Sequence, residues 1–326
     1  MVNLINTIVY AGRVRDISVL MKSSSGGAFT ALSDYFLNNG NAVAATVYDY
    51  ETHTTEFCLI RTEEERDAAI GSKYMQSKPG DIFCKAYQWL IENPDKELLF
   101  VGMGCQADGF RRFAEMKNIR ERVYIVDIIC HGSPSPKLWR DYAESLEKKN
   151  GKITFLTFKD KRNGWKSPTA FVIINGKEFP IDDYVRIFYN CCALRPSCHI
   201  CPYATTERKT DITIGDFWHI EDTIPDFYDK NGNSLFLIHT DRGKNIFDNV
   251  KEKLYFRHSD TKQCWQNNLE SPTSVSKQRE EFWEDYFRKG IYFVLKKYGM
   301  ITLKTRVKNK ILRIISLVLK CTHVRK

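Results

Sequence analysis

Apolar positions recur along this chain in two periods. Residues 8–12 open the ordered part, and Phe29, Leu32, Phe36 and Leu37 then fall at helical spacing behind Lys22-Ser23-Ser24-Ser25-Gly26-Gly27, until Asn38-Asn39-Gly40 stops them. This reads as a loop delivering a helix. Residues 42–48 read as a strand, 63–69 as a short charged helix, and 81–92 as a longer helix beyond the polar segment 71–77. Two runs of the buried-strand type, 97–101 and 123–129, enclose a helix that starts near Gln106, which makes a strand–helix–strand unit.

After Pro134 and Pro136 the pattern turns to alternation at 153–158 and 171–174, with Asn175-Gly176 as a two-residue hairpin signal. A helix over 183–190, strands at 212–214 and 235–239, and a helix capped by Asp241 follow. From about Lys277 onward the pattern is helical. The fold class this predicts is α/β: a mixed, partly parallel sheet flanked by helices, with a second, hairpin-containing region that carries a C-x-x-C knuckle. The expected division is 1–140, 141–290 and a basic amphipathic tail at 291–326.

The net charge of +9 changes the picture only at one end. Between 296 and 326 there are ten Lys or Arg and no acidic residue, leaving 39 basic against 40 acidic residues elsewhere. The body is neutral, which argues against a nucleic-acid footprint on the folded face. The tail's Lys and Arg alternate with Ile, Leu and Val, a pattern suited to peripheral contact with an anionic membrane surface. Its apolar stretch is too short and too charged to span one. Ten cysteines in 326 residues are too sparse for a disulfide scaffold, and residues 1–10 lack a signal-peptide pattern, so a reducing cytoplasm with free thiols is expected.

The chemistry concentrates on those thiols. Cys198-His199-Ile200-Cys201, stiffened by Pro196 and Pro202, is half of a metal or cluster site, since a structural zinc or a 4Fe-4S cluster takes four ligands. Cys105 and Cys130 each follow a predicted strand directly, on one sheet edge if the strands are parallel. The four together form a candidate ligand set; Cys191 or Cys192 could replace one member, and small buried core cysteines are the plain alternative for Cys105 and Cys130. Cys58, Cys84, Cys264 and Cys321 read as structural.

Six ordered segments together resemble one family: Lys22–Phe29, Gly102-Met103-Gly104-Cys105-Gln106, Asp127-Ile128-Ile129-Cys130-His131-Gly132, Lys159–Trp165, Leu194–Cys201 and Gly215-Asp216-Phe217-Trp218. They are similar to the beta subunit of coenzyme F420-reducing hydrogenases and dehydrogenases. The resemblance implies an iron–sulfur flavoprotein oxidoreductase with FAD and a 4Fe-4S cluster. Such a protein relays electrons between a ferredoxin-like partner and a small acceptor, deazaflavin-like or from a polysaccharide pathway. Longer members begin with a ferredoxin-like domain, so here that electron wire is expected from another protein. Met103-Gly104 and His219 stand where the family usually has Thr-Pro and a small residue.

On this reading Cys105, Cys130, Cys198 and Cys201 hold the cluster, and Ser24, Ser25, Gly26 and Gly27 at a helix start receive the FAD pyrophosphate. Lys73, Gln76 and Ser77 also touch the cofactor, and Trp165 offers a stacking surface. His131 is a candidate proton donor, Lys161 an anion holder, and Arg195 a cation beside the cluster. From the residues alone, a solvated hairpin tip is the better account of Lys159, Lys161, Arg162 and Trp165. Buried Asp127 and Asp216 need partners. The rival reading is a non-catalytic module in which the four thiols bind zinc on a membrane-associated complex.

Overall fold

The computed structural model describes residues 4–300; of the tail expected over 291–326, residues 301–326 lie outside the described residues. The chain runs through β1 (Leu4–Val14), α1 (Ile17–Lys22), α2 (Ala28–Asn38), β2 (Ala42–Asp49), β3 (Thr54–Ile60), α3 (Glu63–Asp67), β4 (Ser77–Lys78) and α4 (Ile82–Glu92). It continues as β5 (Leu98–Met103), α5 (Gly104–Met116), β6 (Val123–Ile128) and α6 (Pro136–Asn150). A hairpin excursion follows, β7 (Ile153–Asp160), β8 (Thr169–Ile174), β9 (Lys177–Pro180) and α7 (Asp182–Tyr189). The chain then returns through β10 (Ile212–Asp216), α8 (Ile220–Thr223), β11 (Ser234–Thr240), α9 (Asp241–Val250) and β12 (Leu254–Ser259), ending in α10 (Arg279–Lys289) and α11 (Ile291–Val294).

Nine strands form one sheet in the order β12-β1-β11-β10-β6-β5-β2-β3-β4, and β7-β8-β9 form a second. The centre, β10-β6-β5-β2, is parallel, and the flanks are largely antiparallel, so the sheet is mixed and partly parallel as expected. It draws strands from both sides of residue 140. Successive residues of β5 and β6 point to opposite faces. Leu99, Val101 and Val126 join the core under α2 and α9, while Leu98, Phe100, Val123 and Ile125 join the core under α4 and α5. Both faces are covered, which is why these strands read as continuous apolar runs. A third core, built on Trp139, Phe158 and Tyr184, seats the small sheet against α6, α7 and α10.

The hairpin at Asn175-Gly176 forms with both residues at positive φ (50° and 73°), as a two-residue turn requires. Two local expectations are corrected. Thr240, not Asp241, caps α9, because its Oγ1 accepts from the Gly243 N–H (3.0 Å) while Asp241 already lies inside the helix. The C-terminal helix is interrupted: Gly290, at φ 78°, closes α10 and restarts the chain as α11.

Candidate functional site: four thiols beside a walled cavity

The parallel strands set the site. β5, β6 and β10 all end on one sheet edge, and a cavity of about 530 Å³ opens there, walled by Val101–Met103, Ile128–Ser133 and Ile214–Asp216. Its opposite wall is the start of α2 with Ser23, Ser24, Ser25 and Gly27, together with residues 71–75. Aromatic rings of Tyr74, Phe188, Tyr189, Trp218 and Trp265 complete it.

The loop before α2 is held from behind, so its front stays free. Ser25 Oγ donates to the Asn233 carbonyl (2.8 Å), Gly26 N–H donates to Ser234 Oγ (2.9 Å), and the Val14 N–H donates to the Gly26 carbonyl. A Cβ on Gly26 would stand 2.5 Å from both the Gly12 carbonyl oxygen and the Ser234 nitrogen, so only glycine fits. Gly27 turns the chain at φ 87° as the N-cap of α2, with no side chain capping the helix. The N–H groups of the first turn therefore face the cavity without a side-chain acceptor, and Ala28, Phe29 and Thr30 all line it. Lys73 lines the same wall; its Nζ donates to the Ala69, Ile70 and Gly71 carbonyls, and burial lowers it to about 8. Helix terminus and lysine suit the phosphates of a flavin nucleotide.

The four thiols meet on the other side of Cys130. Its sulfur interacts electrostatically with those of Cys105, Cys198 and Cys201, and Cys105 with both knuckle sulfurs. Burial, and then the neighbouring thiols, push Cys130 up to about 12 and raise Cys105 as well. Thiolates this close need a cation among them to ionise together. The knuckle is pinned by a backbone bridge between Pro134 and Leu194, and the Arg195 N–H donates to the Ser133 carbonyl (3.0 Å). Gly132 leaves room for Leu194 and Cys198, while Gly104 does the same for Tyr203, whose hydroxyl donates to Asp108 on α5 (2.9 Å).

Four thiols are the donor set of a structural zinc and of a 4Fe-4S cluster alike. Elsewhere among the described residues, ligand atoms of His219, Glu221 and Asp222 lie within 4.8 Å of one another.

The other expected residues divide. His131 and Ser77 line the cavity, the His131 ring 3.3 Å from Cys191 Sγ through Nε2 and the Ser77 hydroxyl donating to Gln106. Cys191 interacts with Cys192, which is buried and donates to the Asn190 carbonyl, and neither joins the four. Gln76 is not in the cavity wall. Arg195 is exposed at the foot of the knuckle. Lys161 is buried; its Nζ donates to the carbonyls of Ser25 (2.8 Å), Asn231 (2.6 Å) and Leu20, so its charge is spent on backbone. Trp165 is also fully buried: Nε1 donates to Asp216 (2.9 Å), and its ring stacks behind Trp218 at 5.0 Å. Of Lys159, Lys161, Arg162 and Trp165, none lines the cavity and only Arg162 stays exposed, paired with Glu178.

Trp218 takes the place expected for Trp165. The signal was present in Gly-Asp-Phe-Trp, where Asp216 fixes Trp165 and Lys159 (2.6 Å) and Trp218 reaches the cavity. Asp127, buried beneath Gly104, pairs with Arg208 and accepts from Thr210 and Thr213.

Comparison with known proteins agrees with this architecture. Residues 9–80 match the model of the coenzyme F420 hydrogenase/dehydrogenase beta subunit N-terminal region, and residues 95–263 match that of its C terminus. No curated protein matches. A solved chain in the xenon-derivatised F420-reducing [NiFe] hydrogenase complex from Methanosarcina barkeri shares the fold. It is 17% identical, with a TM-score of 0.53 over 91% of this chain and 92% of that one. The chain belongs to the coenzyme F420 hydrogenase/dehydrogenase beta subunit family, oxidoreductase subunits of the iron–sulfur flavoprotein kind.

Proposed function

We propose that this chain holds FAD in the cavity and one 4Fe-4S cluster on Cys105, Cys130, Cys198 and Cys201, and that it passes electrons between a ferredoxin-like partner protein and a small acceptor. The observation that carries the reading is the double position of Cys130, which lines the cavity and interacts with the other three thiols. A flavin, when bound, exchanges electrons one at a time with a cluster and in pairs with an organic acceptor.

The chain's own residues bind and orient. The first turn of α2, with Ser24, Ser25 and Gly27 before it, holds the phosphates; Lys73 on the same wall adds its charge while its donors stay on the Ala69, Ile70 and Gly71 carbonyls, and Ser77 also lines the cavity. Trp218, backed by Trp165, gives a rigid apolar wall that excludes water. His131 lies between Cys130 and the aromatic rings and is placed to hold a proton for the acceptor. Lys161 and Arg195 receive no chemical role, because neither lines the cavity. A deazaflavin-like or polysaccharide-pathway acceptor fits the same chemistry, and the relative's multi-subunit complex supports work with partner subunits.

Anaerobic preparation with flavin, iron and sulfide analysis tests the reading. The expected result is a coloured protein with one flavin and about four irons per chain; a colourless zinc protein overturns it. Cys198→Ser is expected to lose the iron while keeping the fold, and full iron occupancy in that variant would refute the ligand set.

A further inference from the structure

The last described turns of the chain carry apolar rings into solvent. Phe287 on α10 is 75% exposed, Tyr292 and Phe293 on α11 are 46% and 36% exposed, and Met300 is 58% exposed. Their neighbours Phe282, Tyr286, Val294, Leu295 and Tyr298 turn inward to the core around Trp139, so one side of this segment is anchored and the other is open.

Cations are interleaved with the open rings. Lys149 Nζ lies 4.1 Å from the Tyr292 ring centroid and Lys289 Nζ 4.2 Å from that of Phe293. Of the nearby acids, Asp285 is engaged by Lys289 and Lys297 and Glu281 by Lys297, while Glu280 and Glu284 are exposed on α10; Arg288 and Lys296 are exposed with no acidic partner among the described residues, and residues 287–300 contain four Lys or Arg and no Asp or Glu. The 26 residues beyond Met300 carry eight more Lys or Arg and no Asp or Glu.

Exposed aromatic rings beside lysines are what a headgroup layer accepts, the rings at the acyl boundary and the ammonium groups at the phosphates. No helix among the described residues is long and apolar enough to cross a membrane, so any contact made here is from one side. We propose that residues 287–300 dock on an anionic phospholipid surface, with the basic segment that follows adding its charge. The growing positive charge toward the end of the chain favours this occupant over a second copy, whose identical patch would repel it. The inference does not depend on the electron-transfer reading.

The full chain tests it in sedimentation with vesicles of phosphatidylcholine alone or mixed with phosphatidylglycerol. Binding is expected only to the anionic vesicles and is expected to weaken as salt is raised. The double variant F287S/F293S is expected to lower the partition coefficient roughly tenfold with the native circular-dichroism spectrum kept, since Phe287 is 75% exposed and Phe293 lies at the surface. Absence of binding to anionic vesicles overturns the proposal, and so does a double variant that binds like the parent. Sedimentation velocity without lipid supplies a second check: a dimer that F287S/F293S dissolves would make the patch a self-interface and overturn the proposal.

Discussion

Lys161 and His239 show how much of this site is decided by single buried groups. Lys161 ties α1 to two loops by donating to carbonyls of Leu20, Ser25 and Asn231. Lys161→Met leaves those acceptors unpaired and is expected to cost about 3 kcal/mol in urea denaturation. It is also expected to loosen the Ser25 wall, read as weaker flavin binding. His239 has a defined tautomer: Thr213 Oγ1 gives its proton to Asp127 (2.6 Å), so it accepts from His239 Nε2 (2.8 Å), and Nδ1 accepts from Thr7 (3.0 Å). Burial lowers His239 to about 4. The unfolded chain, with an ordinary histidine near 6.5, takes up the proton first, so stability falls as pH drops from about 6.5 toward 4, by up to roughly 3 kcal/mol. His239→Gln is expected to flatten that part of the profile relative to the parent; parallel profiles would refute it. Neither role was legible beforehand. Lys161 looked like an exposed cation because the basic run around it conceals that two of its lysines turn inward, and His239 stood in an apolar strand whose partners are far away in sequence.

The elements whose pattern is periodic and whose faces are uniform could be read directly, and those were the ones that carry the site. α2, β5, β6 and the helix between them follow from apolar spacing, and with them the placing of Cys105 and Cys130 at strand ends. β12 was missed because it is an edge strand with four of its six residues exposed, which leaves no clean alternation. α6 was hidden by the prolines that start it, although Pro at the first helical position is favourable. The N-terminus of α2 makes an element-scale prediction. In Gly27→Ala the Cβ would meet Val14 at 2.8 Å in a left-handed backbone, costing roughly 1–3 kcal/mol. Because the turn aims the free N–H groups, a flavin titration is expected to show loss of affinity beyond the loss of stability. Equal affinity in the folded fraction would show that the phosphates lie elsewhere.

Across the whole molecule, the thiols come from three separate stretches, and the parallel sheet edge is what brings them together. The sequence spacing of Cys198 and Cys201 could suggest half a site, but the closing contacts, Pro134 to Leu194 and Tyr203 to Asp108, depend on packing between distant segments. The same interdependence predicts that residues 1–140 and 141–326, expressed apart, each lack cooperative unfolding, while the full chain melts in one step through the large sheet. A fragment with a native-like melt on its own would contradict this.

The position of β10 and β11 has a further consequence, for the order in which a ribosome delivers this fold. They lie in the middle of the sheet, between β1 and β6, although they are made after residue 211. During synthesis at roughly 5–20 residues per second, β1 therefore waits ten seconds or more for its inner neighbour. β6 presents an unpaired apolar edge from residue 128 until β10 begins at residue 212. The knuckle emerges just before the strands that close the gap, so all four sulfurs are available to a cluster only when the sheet itself is about to be completed. On the proposed ligand set, loading of the thiols would thereby wait for residues 212–240, and a chain stalled before residue 240 is expected to be a client for chaperones rather than a receiver of iron.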